Sequence, residues 1–279
     1  MPNPLRIASL TVFAMLAFAS NSLLCRIALR DTAIDAASFT SIRLISGAAL
    51  LAILMIGRGS HPLAGGTWRA AAMLFAYAVT FSFAYRQLTA ATGALLLFGA
   101  VQMTMLGYGL AAGERLRGLQ WLGLLVALAG LIGLLLPGLA APPLVSALLM
   151  LAAGAAWGVY SLLGRGVTDP VAGTAGNFLR AVPFTVVLSL ATVAHASFDA
   201  MGVLYAVVSG AITSGLGYVL WYAALPAFKA ASAATIQLSV PALAALGGVL
   251  LLNEPLSLRL LIASVAILGG IALVILRRR

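Results

Sequence analysis

The chain has 279 residues, 63% of them apolar and 8% charged, with a mean hydropathy of +1.11 and a formal net charge of +10. Soluble domains carry about 25% charged residues, so charge this sparse cannot cover a water-exposed surface and a soluble enzyme is excluded. At about 20 residues per span, ten spans consume about 210 residues and leave only short loops, with no room for a soluble domain.

Taken in chain order, the hydropathy breaks at charge, Pro and Gly clusters into ten apolar segments: 5–24, 36–57, 67–86, 89–111, 119–136, 144–163, 171–193, 201–224, 230–252 and 257–276. Helices are required, because hydrocarbon cannot satisfy open backbone groups and no alternating strand pattern appears. The first segment has the flavour of a secretion signal, with Arg6 ahead of it and Ala17-Phe18-Ala19 resembling a cleavage site. Its apolar run continues to Leu24, however, and it is read as a span. With the N-terminus in the cytoplasm, inside segments hold Arg6, Arg58, Arg69, Arg115, Arg117, Arg165, Lys229 and Arg277 to Arg279. Outside loops then hold only Arg26, Arg30, Arg86 and Arg259, so both termini are expected to be cytoplasmic.

The chain repeats at half its length. A shift of 140 brings Glu114 onto Glu254, Leu116 onto Leu256, Gly130 onto Gly270, Thr92 onto Ser232 and Ala94 onto Ala234. A shift of 137 brings Arg43 onto Arg180. Each half, 1–138 and 139–279, then holds five spans. Five is odd, so the second half enters the membrane upside down. The expectation is an all-α membrane protein of ten transmembrane helices in two inverted five-helix repeats, with a site at their interface near the midplane.

The pieces Gly113-Glu114-Arg115-Leu116, Asn253-Glu254-Pro255-Leu256 and Ala156-Trp157-Gly158, with an arginine in the second span of each half, resemble the drug/metabolite transporter superfamily. The likeness covers the whole chain and is to its EamA branch, more narrowly to bacterial exporters of aromatic amino acids. The first half departs from the family's Trp-Gly opening, with Ser20-Asn21-Ser22 in its place. The resemblance implies a multi-pass protein of the bacterial inner membrane that exports a small molecule, neutral or aromatic amino acids foremost. Other branches exchange nucleotide sugars or phosphometabolites, or export drugs.

The six acidic residues, Asp31, Asp35, Glu114, Asp169, Asp199 and Glu254, all fall in loops or at span ends. Proton pumps and cation exporters keep a carboxylate at depth, so a facilitator without proton coupling is expected. Glu114 and Glu254 suit helix caps or gate-side ion pairs. Arg43 and Arg180 lie within spans, where each either captures an anionic group of the solute or ties its helix to neighbouring carbonyls.

Tyr77, Phe81 and Tyr85 share one face of the third span, and Ser214, Tyr218 and Trp221 or Tyr222 one face of the eighth. Trp157 and Tyr160 mark the sixth. Aromatic walls with hydroxyl tips suit a flat apolar ligand with a polar head, whereas Tyr85, Trp221 and Tyr222, near span ends, also fit an interfacial belt. Asn21, Gln102, Asn177 and Gln237 are costly in hydrocarbon unless paired or wet. The candidate substrate-binding set is therefore Asn21, Tyr77, Phe81, Gln102, Trp157, Tyr160, Asn177, Tyr218 and Gln237.

Gly109-x-x-x-Gly113, Ala129-x-x-x-Gly133 and Gly210-x-x-x-Ser214 are helix-packing steps. Pro183 and Pro241 should bend their spans. No phosphate-cradling Gly-x-x-x-x-Gly-Lys run exists, and no catalytic set lies at depth, so neither ATP hydrolysis nor another enzymatic activity is expected. The basic residues are scattered singly apart from Arg277 to Arg279, a pattern that sets orientation and gives no nucleic-acid surface. The single Cys25 forms no internal disulfide, and His61 and His195 lie far apart, so no metal or other cofactor is expected. The expected partners are the solute and membrane lipid, and a pathway enclosed within one chain suits a monomer.

Overall fold

The computed structural model describes residues 4–113, 115, 118–138, 140–228 and 236–276. Glu114, Leu116, Arg117, Lys229, Ser232, Ala234 and the terminal arginines lie outside the described residues. The described chain is helical throughout and contains no strand. Its spans are α1 (Pro4–Asp31), α2 (Ala36–Gly57), α3 (Trp68–Tyr85), α4 (Ala90–Ala111) and α5 (Gly118–Leu135) in the first half. In the second half they are α6 (Leu144–Leu163), α7 (Pro170–Thr192), α8 (Ala200–Ala227), α9 (Ser239–Leu252) and α10 (Leu258–Leu276). Eight stretches are long and apolar enough to cross a membrane; the exceptions are α3, with Arg69 in its first turn, and the shorter α9.

Short polar residues set the starts. Asp35 accepts from Ala37 N and Ser38 N, Asp169 from Val171 N and Ala172 N, and Asp199 from Gly202 N, each filling orphan donors of a first turn. Thr67 and Thr89 do the same for α3 and α4. Burial raises the Asp35 carboxyl, but hydrogen bonds from Ser38, Ser197 and Ala37 outweigh it and hold the group below the usual carboxylate range. Three of the six acidic residues are thereby committed to helix ends.

Helix packing has a two-fold pattern. Pairs exchange when each helix is replaced by its counterpart in the other half: α1 packs on α8 as α6 packs on α3, α1 on α9 as α6 on α4, and α2 on α8 as α7 on α3. The pairs α2–α7, α4–α9 and α5–α10 map onto themselves. At the last crossing a Cβ on Gly123 would come 2.6 Å from the Gly270 carbonyl, and one on Gly270 would strike the Gly123 carbonyl, so only glycine permits the approach from either side. Counted from the capping aspartates, the eighth residue of α2 is Arg43 and that of α7 is Asn177. Arg43 therefore corresponds to Asn177, and Arg180 lies one turn further on.

Two elements differ from the sequence expectation. First, α1 does not stop at Leu24 but continues to Asp31, because Arg26 and Arg30 find partners within the protein. Second, α8 is α-helical over Ala200–Val208 and Gly217–Ala224 but π-helical between, over Ser209–Leu216. Long π segments are rare and often mark functional sites. Of the two prolines, Pro183 lies inside α7, whereas Pro241 falls in the first turn of the described α9, where its missing N–H costs little.

Candidate functional site

Five helices, three from the first half and two from the second, meet around a small internal void. It is lined by Phe18, Asn21 and Ser22 of α1, Tyr77 and Phe81 of α3, Leu97 and Phe98 of α4, Trp157 of α6 and Tyr218 of α8. Five of the nine candidate residues therefore share one wall. The i, i+4 spacing of Tyr77 and Phe81 turns both inward, with ring centres 5.2 Å apart. Trp157 stands at the centre, 5.1 Å from Tyr77, 4.6 Å from Tyr218 and 5.9 Å edge-on from Phe18. The void holds about 10 Å³, room for one water. Its aromatic walls are in contact with one another and leave no space for anything larger.

The polar part of the site is a network spanning both halves of the chain. Asn21 donates through Nδ2 to the Tyr77 hydroxyl at 3.2 Å. Its Oδ1 accepts from Ser209 Oγ at 2.8 Å and Thr213 Oγ1 at 3.3 Å, and lies 3.5 Å from Ser214 Oγ. The π-helical segment, with wider turns than an α-helix, aims three hydroxyls at one amide. Arg43, 1% exposed, donates from Nε to Ser214 Oγ at 3.0 Å and from Nη2 to the hydroxyls of Tyr77 at 3.1 Å and Tyr218 at 3.3 Å. Its guanidinium carbon lies 5.1 Å from the Tyr77 ring centre and 5.0 Å from that of Phe81, within the range of cation–π attraction. The π segment admits this packing through Gly210, where any Cβ would collide with the Arg43 carbonyl.

The remaining candidates are spread along a path away from the void. Tyr160 stacks on Trp157 at 5.3 Å and takes a hydrogen bond from Asn177 Nδ2 at 3.3 Å. Asn177 Oδ1 in turn accepts from Thr67 N at 2.9 Å, holding the start of α3. Tyr160 and Asn177 line a second gap of about 10 Å³ with Tyr222. Beyond Tyr222 a vestibule of about 360 Å³ opens between α4, α6, α8 and α9, with Arg165, Trp221 and Gln237 in its wall. Gln102 is buried on α4 but does not line the void. Tyr85, Trp221 and Tyr222 are buried within the protein, so they form no interfacial belt; among the described residues the exposed aromatics are Phe13, Trp68, Tyr108, Trp121 and Phe198. Arg180 donates to the carbonyls of Gly65 and Gly176 at 2.6 and 3.0 Å, the tying role, away from the void.

The opposite end is shut by a clamp. Glu254 Oε1 accepts from Arg26 Nε at 2.8 Å, and Oε2 from Ala90 N at 2.7 Å, capping α4 from the other half of the chain. Arg26 Nη1 donates to the carbonyls of Tyr85 at 3.0 Å and Arg86 at 3.1 Å, and Arg30 Nη1 to that of Leu252 at 2.9 Å. Because Gln237 at the vestibule lies just before the start of α9 and Leu252 at the clamp ends it, the two features lie at opposite ends of that span. A further groove of about 610 Å³ between α5 and α10 is lined by residues such as Leu122, Val126, Leu261 and Val265, and offers a solute nothing polar.

Sequence reasoning missed Phe18, Ser22, Leu97 and Phe98 as wall residues, and Ser209 and Thr213 as partners of Asn21. The available signal for the last two was the hydroxyl and glycine cluster Ser209-Gly210-Ala211-Ile212-Thr213-Ser214-Gly215 within an apolar span.

Residues 144–276 match the model of the EamA-like transporter family. Over 270 residues the chain is 60% identical to the uncharacterized protein PA1977 of Pseudomonas aeruginosa, covering 96% of this chain and 94% of that one. A crystal structure superposes with a TM-score of 0.67 over 98% of this chain and 99% of its own, at 20% identity, a likeness of fold.

Proposed function

We propose that this multi-pass membrane protein, which belongs to the EamA-like transporter family, is a secondary transporter that exports small amphipathic metabolites, aromatic and other neutral amino acids foremost, by alternating access. The observation that carries this reading is the void itself: an aromatic box with an amide at one corner, built by α1, α3 and α4 from one half and α6 and α8 from the other, between a clamp at one end and a vestibule at the other. The aromatic faces suit a ring or apolar side chain, and the Asn21 amide supplies both a donor and an acceptor. The two-fold packing supports two repeats, 1–138 and 139–279, that rock against each other around this point. Among the described residues no carboxylate lines the void, which supports facilitated flux without proton coupling. The bias of Lys and Arg supports an orientation with the vestibule and Arg165 on the cytoplasmic side of a bacterial inner membrane, the Glu254 clamp on the far side and both termini cytoplasmic. The pathway lies within one chain, so a monomer suffices.

Uptake into proteoliposomes of labelled phenylalanine, tryptophan, threonine, a nucleotide sugar and a cationic dye, each with and without a pH gradient, tests the reading. Saturable amino-acid flux that ignores the gradient is expected. Gradient-driven dye flux, nucleotide-sugar exchange, or no amino-acid flux would overturn it.

A further inference from the structure

Arg43 is a cation sealed within a membrane protein, and no described carboxylate pairs with it. A guanidinium carries five N–H donors, and three are engaged: Nε with Ser214, and Nη2 with Tyr77 and Tyr218. Nη1, fully buried, has no partner. Every group around it is neutral. The five described carboxylates are committed elsewhere: Asp35, Asp169 and Asp199 cap helices, Asp31 pairs with Arg30, and Glu254 pairs with Arg26. A buried charge persists when paired or fully hydrogen-bonded, and this one is neither. It stands directly behind Tyr77 and Phe81, two walls of the void, and holds two of the void's hydroxyls in place.

We infer that Arg43 is the anchor for a carboxylate on the transported solute, reached as the helices part and Nη1 turns toward the void. The inference rests on the proposed transport role of this void and adds the solute's charge: a monoanionic head beside an apolar body, taken from either an amino acid or a simple aromatic acid. One guanidinium fits one carboxylate in a planar, two-point contact. The Tyr77 and Tyr218 hydroxyls, already accepting from Nη2, have protons left to donate to the same anion. Asn21, which holds Tyr77 from the other side, is the positioning residue.

The test uses the native protein in proteoliposomes and compares phenylalanine, 3-phenylpropanoate, phenylalaninamide and phenethylamine as competitors and as transported solutes. The two acids are expected to be recognised at least about tenfold better than the amide and the amine, since a site built around a hydrogen-bonded group rejects analogues lacking it. Arg43→Lys, which keeps the charge but not the two-point contact, should keep part of the acid preference, and Arg43→Gln, which loses the charge-assisted bond, should reduce it to within about threefold. Equal recognition of phenylalanine and its amide overturns the inference and leaves amino-acid transport standing. Flux of 3-phenylpropanoate without phenylalanine flux upholds Arg43 as the anchor and overturns the amino-acid reading. Flux that requires chloride and ignores the carboxylate assigns Nη1 to a halide and also overturns the inference. Recognition of none of the four overturns both.

Discussion

Asn21→Leu is expected to abolish flux and to destabilise the protein in detergent, whereas Asn21→Asp should block flux of carboxylate solutes without lowering the melting temperature. Leucine matches asparagine in size but leaves the Ser209 hydroxyl and the Tyr77 hydroxyl short of a partner in a sealed interior. An unsatisfied buried polar group costs about 1–3 kcal/mol, and hydrogen bonds between membrane helices average about 0.6 kcal/mol. A loss of about 1–3 kcal/mol, read as a clear downward shift in thermal unfolding, is the outcome. Flux should fall by more than about tenfold, because Tyr77 loses the contact that fixes its hydroxyl. Aspartate keeps the acceptor toward Ser209 and Thr213 and adds a negative charge one hydroxyl away from Arg43. That internal anion competes with the solute's own. A leucine variant that transports normally would remove Asn21 from the site.

The second large effect belongs to the clamp. Glu254→Ala removes the acceptor for both Arg26 Nε and the Ala90 amide. Truncating one partner of a buried pair costs about 3–5 kcal/mol. Arg26 keeps 12% of its side chain exposed and retains two carbonyls, so about 1–3 kcal/mol is expected here. That energy biases the protein toward opening at the clamp end. In a Cys25→Ala background, Ser22→Cys places a reporter on the wall of the void, one helical turn from Arg26. Adding Glu254→Ala should speed its reaction with an impermeant maleimide from that side by about ten- to a hundredfold, since about 1.4 kcal/mol is one decade of population. Unchanged labelling would mean that the clamp does not hold the closed state.

How much of this was legible beforehand depended on whether the cause was local. The bounds of α2 and α6 agree with the apolar segments 36–57 and 144–163 to the residue, because Asp35 and Arg58 flank α2 while Pro142-Pro143 and Gly164-Arg165 flank α6. The end of α1 was hidden, because Arg26 and Arg30 read as a loop until Glu254 and the Leu252 carbonyl, more than two hundred residues away, are brought beside them. The aromatic faces of α3 and α8 follow from helical spacing and gather as expected. Tyr85, Trp221 and Tyr222 could not be told from belt residues, since position near a span end says nothing about which side faces lipid. The two intramembrane arginines looked alike in sequence, yet one turn of offset sends Arg180 to loop carbonyls and Arg43 to the centre. The π-helical segment had no distinct signature, because glycines that admit it are also ordinary packing residues.

The claim that the void at Asn21, Trp157 and Tyr218 is the alternately exposed solute site is tested most directly by two-sided access. Ser22→Cys in the Cys25→Ala background, otherwise native, is reconstituted and labelled separately from each face with an impermeant maleimide, with and without saturating phenylalanine. The account predicts slow labelling from both faces and protection at both when the amino acid is present. Labelling from one face alone, or at a rate indifferent to every solute the protein carries, would contradict it.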